Sequence, residues 1–294
     1  MKKIAVTFIS LLFISCRSIC VPEYQIFSES EISSKVRIVQ VSDFHSNDFG
    51  KDEAKLITLI KVSEPDMVVF TGDTFDFMQK GIKPVENVRL LLQGIKDLCP
   101  FFYVTGNHEY FKYHENEFGY MIEEYGGKSL HDDAVEIKVR GRDFIIAGAD
   151  DPFSDLTPEE RKKDEDNKEA YIKRILELYD KVSEMEGKNN QAFSILLAHR
   201  PEYIDTYKRT GFDLVLSGHA HGGQWRFPAK NGLYAPMQGL FPKYAGGRYE
   251  FTGRNGNAVM IVSRGLSYQQ PNVPRIMNNP ELVVIDIVFR ENED

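Results

Sequence analysis

Five short segments of Asp, His, Asn and Gly each close an apolar, β-rich run, and this recurrence constrains the chain more than any other feature. Asp43-Phe44-His45 follows the run Val36 to Val41, and Gly72-Asp73-Thr74-Phe75-Asp76 follows Met67 to Thr71. Gly106-Asn107-His108-Glu109 comes at the end of Phe101 to Thr105, and Ala198-His199-Arg200 at the end of Phe193 to His199. Gly218-His219-Ala220-His221-Gly222-Gly223-Gln224 follows Leu214 to Ser217. Further apolar runs lie at Phe144 to Ala149, Ala258 to Ser263 and Leu282 to Phe289. Helical spacing separates several of them. Asp52 to Ser63 aligns Leu56, Leu59 and Ile60, and Val85 to Leu98 aligns Val88, Leu91, Leu92 and Ile95. Strands alternating with helices predict an α/β architecture with buried sheets. In such sheets the loops at the carboxyl ends of the strands converge, and ligands bind there.

The residue types in those loops suit metal ligation. Asp43 and His45 stand two apart, so an extended segment points both the same way; His219 and His221 repeat the spacing. Each residue alone reads as well as a turn or cap residue, but five of the seven histidines fall in these segments. Imidazole with carboxylate suits manganese, iron or zinc. Two such ions need a shared anionic ligand, and a carboxylate serves. Asp43 and Asp73 carry two negative charges, so two divalent ions leave a net charge of about plus two. A hydroxide and a phosphate-ester anion balance it, which is the requirement of metal-assisted phosphate-ester hydrolysis.

The ordered run D-x-H, G-D-x-x-D, G-N-H-E, H and G-H-x-H, spread from Val36 to Ser263, resembles the calcineurin-like metallophosphoesterases. The tail Gly218 to Gln224, with Gly232-Leu233-Tyr234 and Tyr244 to Tyr249, is similar to their bacterial membrane-associated branch, which includes UDP-diacylglucosamine hydrolases. The resemblance implies a four-layer α/β/β/α sandwich, two mixed sheets flanked by helices. It implies that Asp43, His45, Asp73 and His221 hold one metal, and that Asp73, Asn107, His199 and His219 hold the other. His108 is implied as general acid or transition-state stabiliser beside the leaving group, oriented by Asp76. The substrate it implies is a phosphodiester or pyrophosphate in a small or lipid-linked envelope metabolite. A phosphomonoesterase with the same metals is the alternative. A non-catalytic scaffold fits poorly, because every ligand position is filled. Phe44 stands where this branch usually has Leu, a change of packing rather than ligation.

Composition narrows the partners. Net charge is -8, so an acidic surface disfavours nucleic acid. Residues 1–20 begin with Lys2 and Lys3, run apolar from Ile4 to Ser15 and reach Cys16. That run is short for a bilayer span and suits an export signal. Three fates are open: lipidation of Cys16, plain cleavage, or an uncleaved anchor. All three put the protein outside the cytoplasm or on a membrane through its N-terminus. The remainder, 36–294, reads as one catalytic domain and a monomer. Cys20 and Cys99 suggest no disulfide framework, and Cys99 beside Pro100 reads as a buried thiol.

Several features carry two readings. From Asp155 to Asn190, Thr157, Pro158 and Glu160 form a capping box. They head a helix with Ile172, Ile175, Leu176, Tyr179 and Val182 on one face and Gly187 at its end; it is a packed amphipathic helix or a substrate lid. Tyr110, Phe111 and Tyr113 form a wall or touch an apolar substrate part. Arg200 forms a surface salt bridge or binds phosphate, and Gln224 has a loop role or a site role. His114 and His131 match no motif and read as solvent-facing or satisfied in packing.

Overall fold

Most strands read as near-continuous apolar runs because both of their faces are covered. The computed structural model describes residues 18–29, 33–76, 84–110, 117–161, 167–187, 192–226, 231–270 and 273–290. In chain order the strands are β1 Glu23–Glu29, β2 Ser34–Val41, β3 Met67–Thr71, β4 Phe101–Val104, β5 Lys128–Ser129, β6 Asp133–Val139, β7 Arg142–Ala149, β8 Phe193–Ala198 and β9 Leu214–Ser217. They continue with the short pair β10 Tyr234–Ala235 and β11 Gly239–Leu240, then β12 Gly247–Gly253, β13 Gly256–Val262, the pair β14 Gln269–Gln270 and β15 Val273–Pro274, and β16 Val283–Arg290. The helices are α1 Ala54–Val62, α2 Pro84–Ile95, α3 Asn107–Tyr110, α4 Glu117–Glu124, α5 Pro158–Arg161, α6 Lys168–Glu186 and α7 Ile204–Tyr207.

Two six-stranded mixed sheets result. One has the order β1-β16-β2-β3-β4-β5, the other β12-β13-β9-β8-β7-β6. Within them β2, β3 and β4 run parallel, and so do β7, β8 and β9. The inner faces meet through Ile38, Val69 and Val104 from the first sheet and Ile146, Ile195, Leu197 and Leu216 from the second. On the outer face of the first sheet, Val39, Val41, Val68 and Phe70 take Leu56 and Ile60 of α1 and Val88, Leu91, Leu92 and Ile95 of α2. Outside the second sheet, Ile145, Leu196, Val215 and Met260 take Tyr171, Ile175, Tyr179 and Val182 of α6. This is the α/β/β/α sandwich, and it puts the carboxyl ends of β2, β3, β4, β8 and β9 at one edge.

The segment expected to form one helix from Asp155 to Asn190 is two. Thr157 and Glu160 do form the capping box, with Thr157 N–H donating to Glu160 Oε2 at 2.8 Å, but it heads only the one-turn helix α5. Asn167 caps the long helix instead, its Oδ1 accepting from Ala170 N–H. Gly187 ends α6 in a right-handed conformation. Strand β1 lies upstream of Val36 and pairs in parallel with β16. Cys20 and Cys99 are free and half-buried rather than buried; burial pushes the Cys99 thiol up to about 11. Among the described residues no helix is long and apolar enough to cross a membrane. The Met1 to Cys16 segment, His114, Phe111 and Tyr113 lie outside the described residues.

Candidate metal centre

The loops after β2, β3, β4, β8 and β9 bring every predicted site residue to one edge of the sandwich. Asp43, His45, Asp73 and His221 place a ligand atom each within 4.8 Å of one another, and so do Asp73, His199 and His219. Asp73 belongs to both groups. Its Oδ2 lies 3.5 Å from His45 Nε2 and 3.3 Å from His199 Nε2, while Asp43 Oδ1 lies 3.4 Å from His221 Nε2. All these side chains are buried.

The way Asp43 and His45 converge differs from the extended geometry expected. Asp43 (φ 47°), His45 (φ 47°), Asp73 (φ 50°), His219 (φ 65°) and His221 (φ 45°) all sit in the left-handed region. Residues other than glycine rarely adopt it, and where they do so together the strain marks a functional site. The chain curls tightly at each strand end, and backbone bonds from loop to loop hold the curl. Asp43 N–H donates to Gly72 O at 3.0 Å and His45 N–H to Asp73 O at 2.9 Å. Gly72 itself has φ 91°, and a Cβ there would collide with the His199 ring. At Gly218 a Cβ would strike Ser42 and the Asp43 carboxylate, so only glycine lets the β9 loop pass this close.

Hydrogen bonds fix which ring atoms face inward. His199 Nδ1 lies 2.7 Å from Thr71 O, so it carries the proton there and turns Nε2 toward Asp73. Asp43 Oδ2 accepts from Ser42 Oγ at 2.6 Å and its Oδ1 accepts from His219 N–H at 3.0 Å. Asp73 Oδ1 accepts from His108 N–H at 2.9 Å, which draws the Asn107 turn onto Asp73. Asp76 was expected to orient His108 alone. It lies between two rings, with Oδ1 3.5 Å from His108 Nδ1 and Oδ2 3.3 Å from His45 Nδ1. The His45 and His108 rings meet edge to face at 4.4 Å.

The donor set fits divalent ions. Nε2 of His45, of His199 and of His219, and Oδ1 of Asn107 are buried and make no hydrogen bond among the described residues. Burial and the nearby Arg200 and His199 hold His219 well below the ordinary imidazole range. Burial, with His45 and Arg275, does the same to His221, so both present neutral lone pairs. His199 goes the other way. Burial opposes its charge, but the Asp73 carboxylate prevails and pushes it up to about 10. His108 is likewise raised, against burial, by Asp73 and Asp76 to about 9. The pocket's anions are therefore arranged to stabilise positive charge.

Three residues were misread or missed. Arg200 was expected on the surface or on phosphate. It is buried, forks onto Asp151 at 2.7 and 3.0 Å, and lies over the Phe153 ring. Glu109 had no role beyond completing its motif, yet its buried carboxylate ties the β3 loop to the β4 loop, as described below. Arg275 comes from the far end of the chain and places Nη2 3.4 Å from His221 Nδ1. His131 is satisfied in packing by Asp150, at 3.1 Å, and by Ser129. Tyr110 is a buried wall residue beside Thr105. Gln224 is buried in its loop, where its backbone carbonyl accepts from Asn278 Nδ2 at 3.1 Å.

The chain is similar to a protein of Caenorhabditis elegans that is named as a metallophosphoesterase, 26% identical over 86% of this chain and 48% of its own length. An uncharacterized metallophosphoesterase of Campylobacter jejuni is 28% identical over 87% of the chain and 60% of its length. One of Aquifex aeolicus is 27% identical, covering 88% of the chain and 87% of that protein. The chain thus spans only about half of the first relative and under two thirds of the second. The model of the calcineurin-like phosphoesterases matches residues 36–223, which hold the ligand loops described above, and the chain belongs to that family.

Proposed function

We propose that this chain hydrolyses a phosphate ester with two divalent ions, and that the bond is a phosphodiester or pyrophosphate in a small or lipid-linked envelope metabolite. The observation that carries this reading is Asp73, one carboxylate shared by two groups of ligand atoms. Asp43, His45, Asp73 and His221 would hold one ion; Asp73, Asn107, His199 and His219 would hold the other, with manganese, iron or zinc suited to the mixed donors. Once bound, such ions polarise a phosphoryl oxygen and make water a nucleophile at neutral pH.

The chain's own residues supply the rest. His108 is 12% exposed where His45 and Asp73 are 1% and His219 is 5%, so it is the imidazole nearest the mouth. It reaches an incoming ester and gives a proton to the departing oxygen. Asp76 holds that ring in place and, through its other oxygen, turns His45 Nε2 toward Asp73. A diester brings one negative charge to the site, which suits the charge balance better than a dianionic monoester. We further place the protein at a membrane through its first sixteen residues, with Cys16 as the lipid-bearing position.

The test is the purified full chain with added manganese, assayed on chromogenic mono- and diesters and then on nucleotide-sugar lipids. Faster turnover of diesters is expected. Preference for monoesters would overturn the diester assignment, and no turnover of any ester by protein carrying two ions would overturn the enzyme itself.

A further inference from the structure

Of the eleven large apolar side chains exposed among the described residues, six are gathered beside the metal centre: Trp225, Tyr234, Met237, Leu240, Phe241 and Met277. Leu240 and Phe241 are 68% and 71% exposed, too open to be serving the core. Scattered exposed apolar residues need no explanation, but a cluster does.

The chain is stitched so that these residues lie together. Leu233 N–H donates to Gly223 O at 2.9 Å, and Phe241 N–H to Leu233 O at 2.8 Å. Tyr234 pairs with Leu240 across β10 and β11, with Met237 in the turn between them. Trp225 bridges to Ile276, next to Met277. Asn278 Nδ2 donates to His221 O at 2.7 Å, so the face adjoins a ligand loop. Met237 (φ 56°), Phe241 (φ 56°) and Met277 (φ 51°) are held in the left-handed region. The fold thus adopts an unfavourable backbone to present three bulky apolar side chains to solvent, the opposite of what folding alone selects.

We propose that this face docks on an anionic lipid bilayer, with the mouth of the metal centre at its border. Trp and Tyr beside Leu, Phe and Met are the composition of a membrane interface. The stretch 214–249, which includes all of the face except Met277, contains no Asp or Glu, in a chain of net charge -8. Exposed Lys243 and half-buried Arg226 lie in the same stretch. An anionic headgroup layer repels acidic side chains, and this stretch supplies none; the exposed Asp205 near Lys243 comes from outside it. The proposal is independent of which ester is hydrolysed and of the N-terminus.

Trp225 is the only tryptophan in the chain, so its emission reports on this face alone. The full chain is mixed with phosphatidylcholine vesicles with and without phosphatidylglycerol. Expected are a blue shift of Trp225 emission, protection from acrylamide and flotation, all stronger with phosphatidylglycerol. Leu240→Ser combined with Phe241→Ser should weaken vesicle binding roughly tenfold or more, since two large apolar side chains no longer enter lipid. Flotation with unchanged Trp225 emission would place attachment elsewhere and overturn the proposal. Loss of a dimer on gel filtration in the double variant, without vesicle binding by the parent, would make the face a contact between copies and also overturn it. If circular dichroism shows the double variant misfolded, the emission of the parent chain decides.

Discussion

The carboxylate of Glu109 accepts the backbone N–H of Asp73 at 3.1 Å, and the same two oxygens accept from Gly106 at 2.7 Å, Thr74 at 2.7 Å and Phe75 at 3.1 Å. Four buried donors from two loops meet on one carboxyl group, so the turn that presents Asp73 is fastened to the turn that presents Asn107 and His108. Glu109→Gln keeps one acceptor oxygen and sets an NH2 group against donors. The variant is expected to lose about 2–4 kcal/mol of stability, because buried N–H groups are left unpaired. Urea unfolding of metal-stripped protein measures this. Unchanged stability would mean that the loops hold their shape without Glu109.

His108 lies within 3.5 Å of Asp76 but outside both ligand groups that contain Asp73. His108→Ala should therefore lower kcat by roughly 10²–10⁴ on esters with poor leaving groups, the range for a positioned acid. It should leave about two ions bound per chain, the number a binuclear centre holds. Elemental analysis and initial rates separate the two effects. Full activity on a poor leaving group would end the acid role, and loss of metal would make His108 a ligand.

The layers and the candidate ligand loops were legible in the sequence because each strand buried on both faces leaves a continuous apolar run, and five of those runs end in an unusual group of Asp, His, Asn and Gly. Strand β1 was not, since it is an edge strand whose residues Glu23 to Ser28 include a single buried one, Ile26. It is recruited by pairing with β16, a partner more than 250 positions away in sequence. Arg200 was misjudged for the same reason. Its partner Asp151 lies 49 positions earlier, and only the parallel pairing of β7 with β8 brings them together. The left-handed turns at Asp43 and His45 left no clear mark, because Asp and His tolerate that conformation more than most residues but do not require it. Glu109 was visible as a motif letter, but four convergent N–H groups exist only once two loops have met.

Glu53 offers a test away from the metals. It is buried, its Oε2 accepts from Phe49 N–H, and burial pushes its carboxyl up to about 7. The folded state thus disfavours the ionised form. Stability is fully present below the unfolded value of about 4.5 and is lost as pH rises toward and beyond about 7. Glu53→Gln, which keeps the acceptor oxygen, should be more stable than the parent at pH 8 by about 1–3 kcal/mol and equal to it near pH 4.5. Thermal melts at the two pH values decide; a gain of the same size at both would assign the effect to packing.

Asp73 carries the most weight. Its Oδ2 lies close to His45 on one side and His199 on the other, and its Oδ1 is held by the His108 backbone, so its position does not depend on a metal. Burial raises the cost of its charge, yet His199 and His108 keep it well below the usual carboxylate range, so it is anionic throughout the neutral region. Asp73→Asn preserves the shape and the bond to His108 N–H while removing the charge. Without an anion between them, two divalent ions face an uncompensated repulsion. Metal content should fall from about two ions to one or fewer and turnover to near background, while circular dichroism stays unchanged. Because Asp73 is the only carboxylate assigned to the ion shared with Asn107, His199 and His219, that ion would be left with neutral ligands and should be the first lost, whereas Asp43 still offers a carboxylate beside His45 and His221 to the other. An Asp73→Asn protein that keeps both ions and turns over at the parent rate would show that the carboxylate does not bridge.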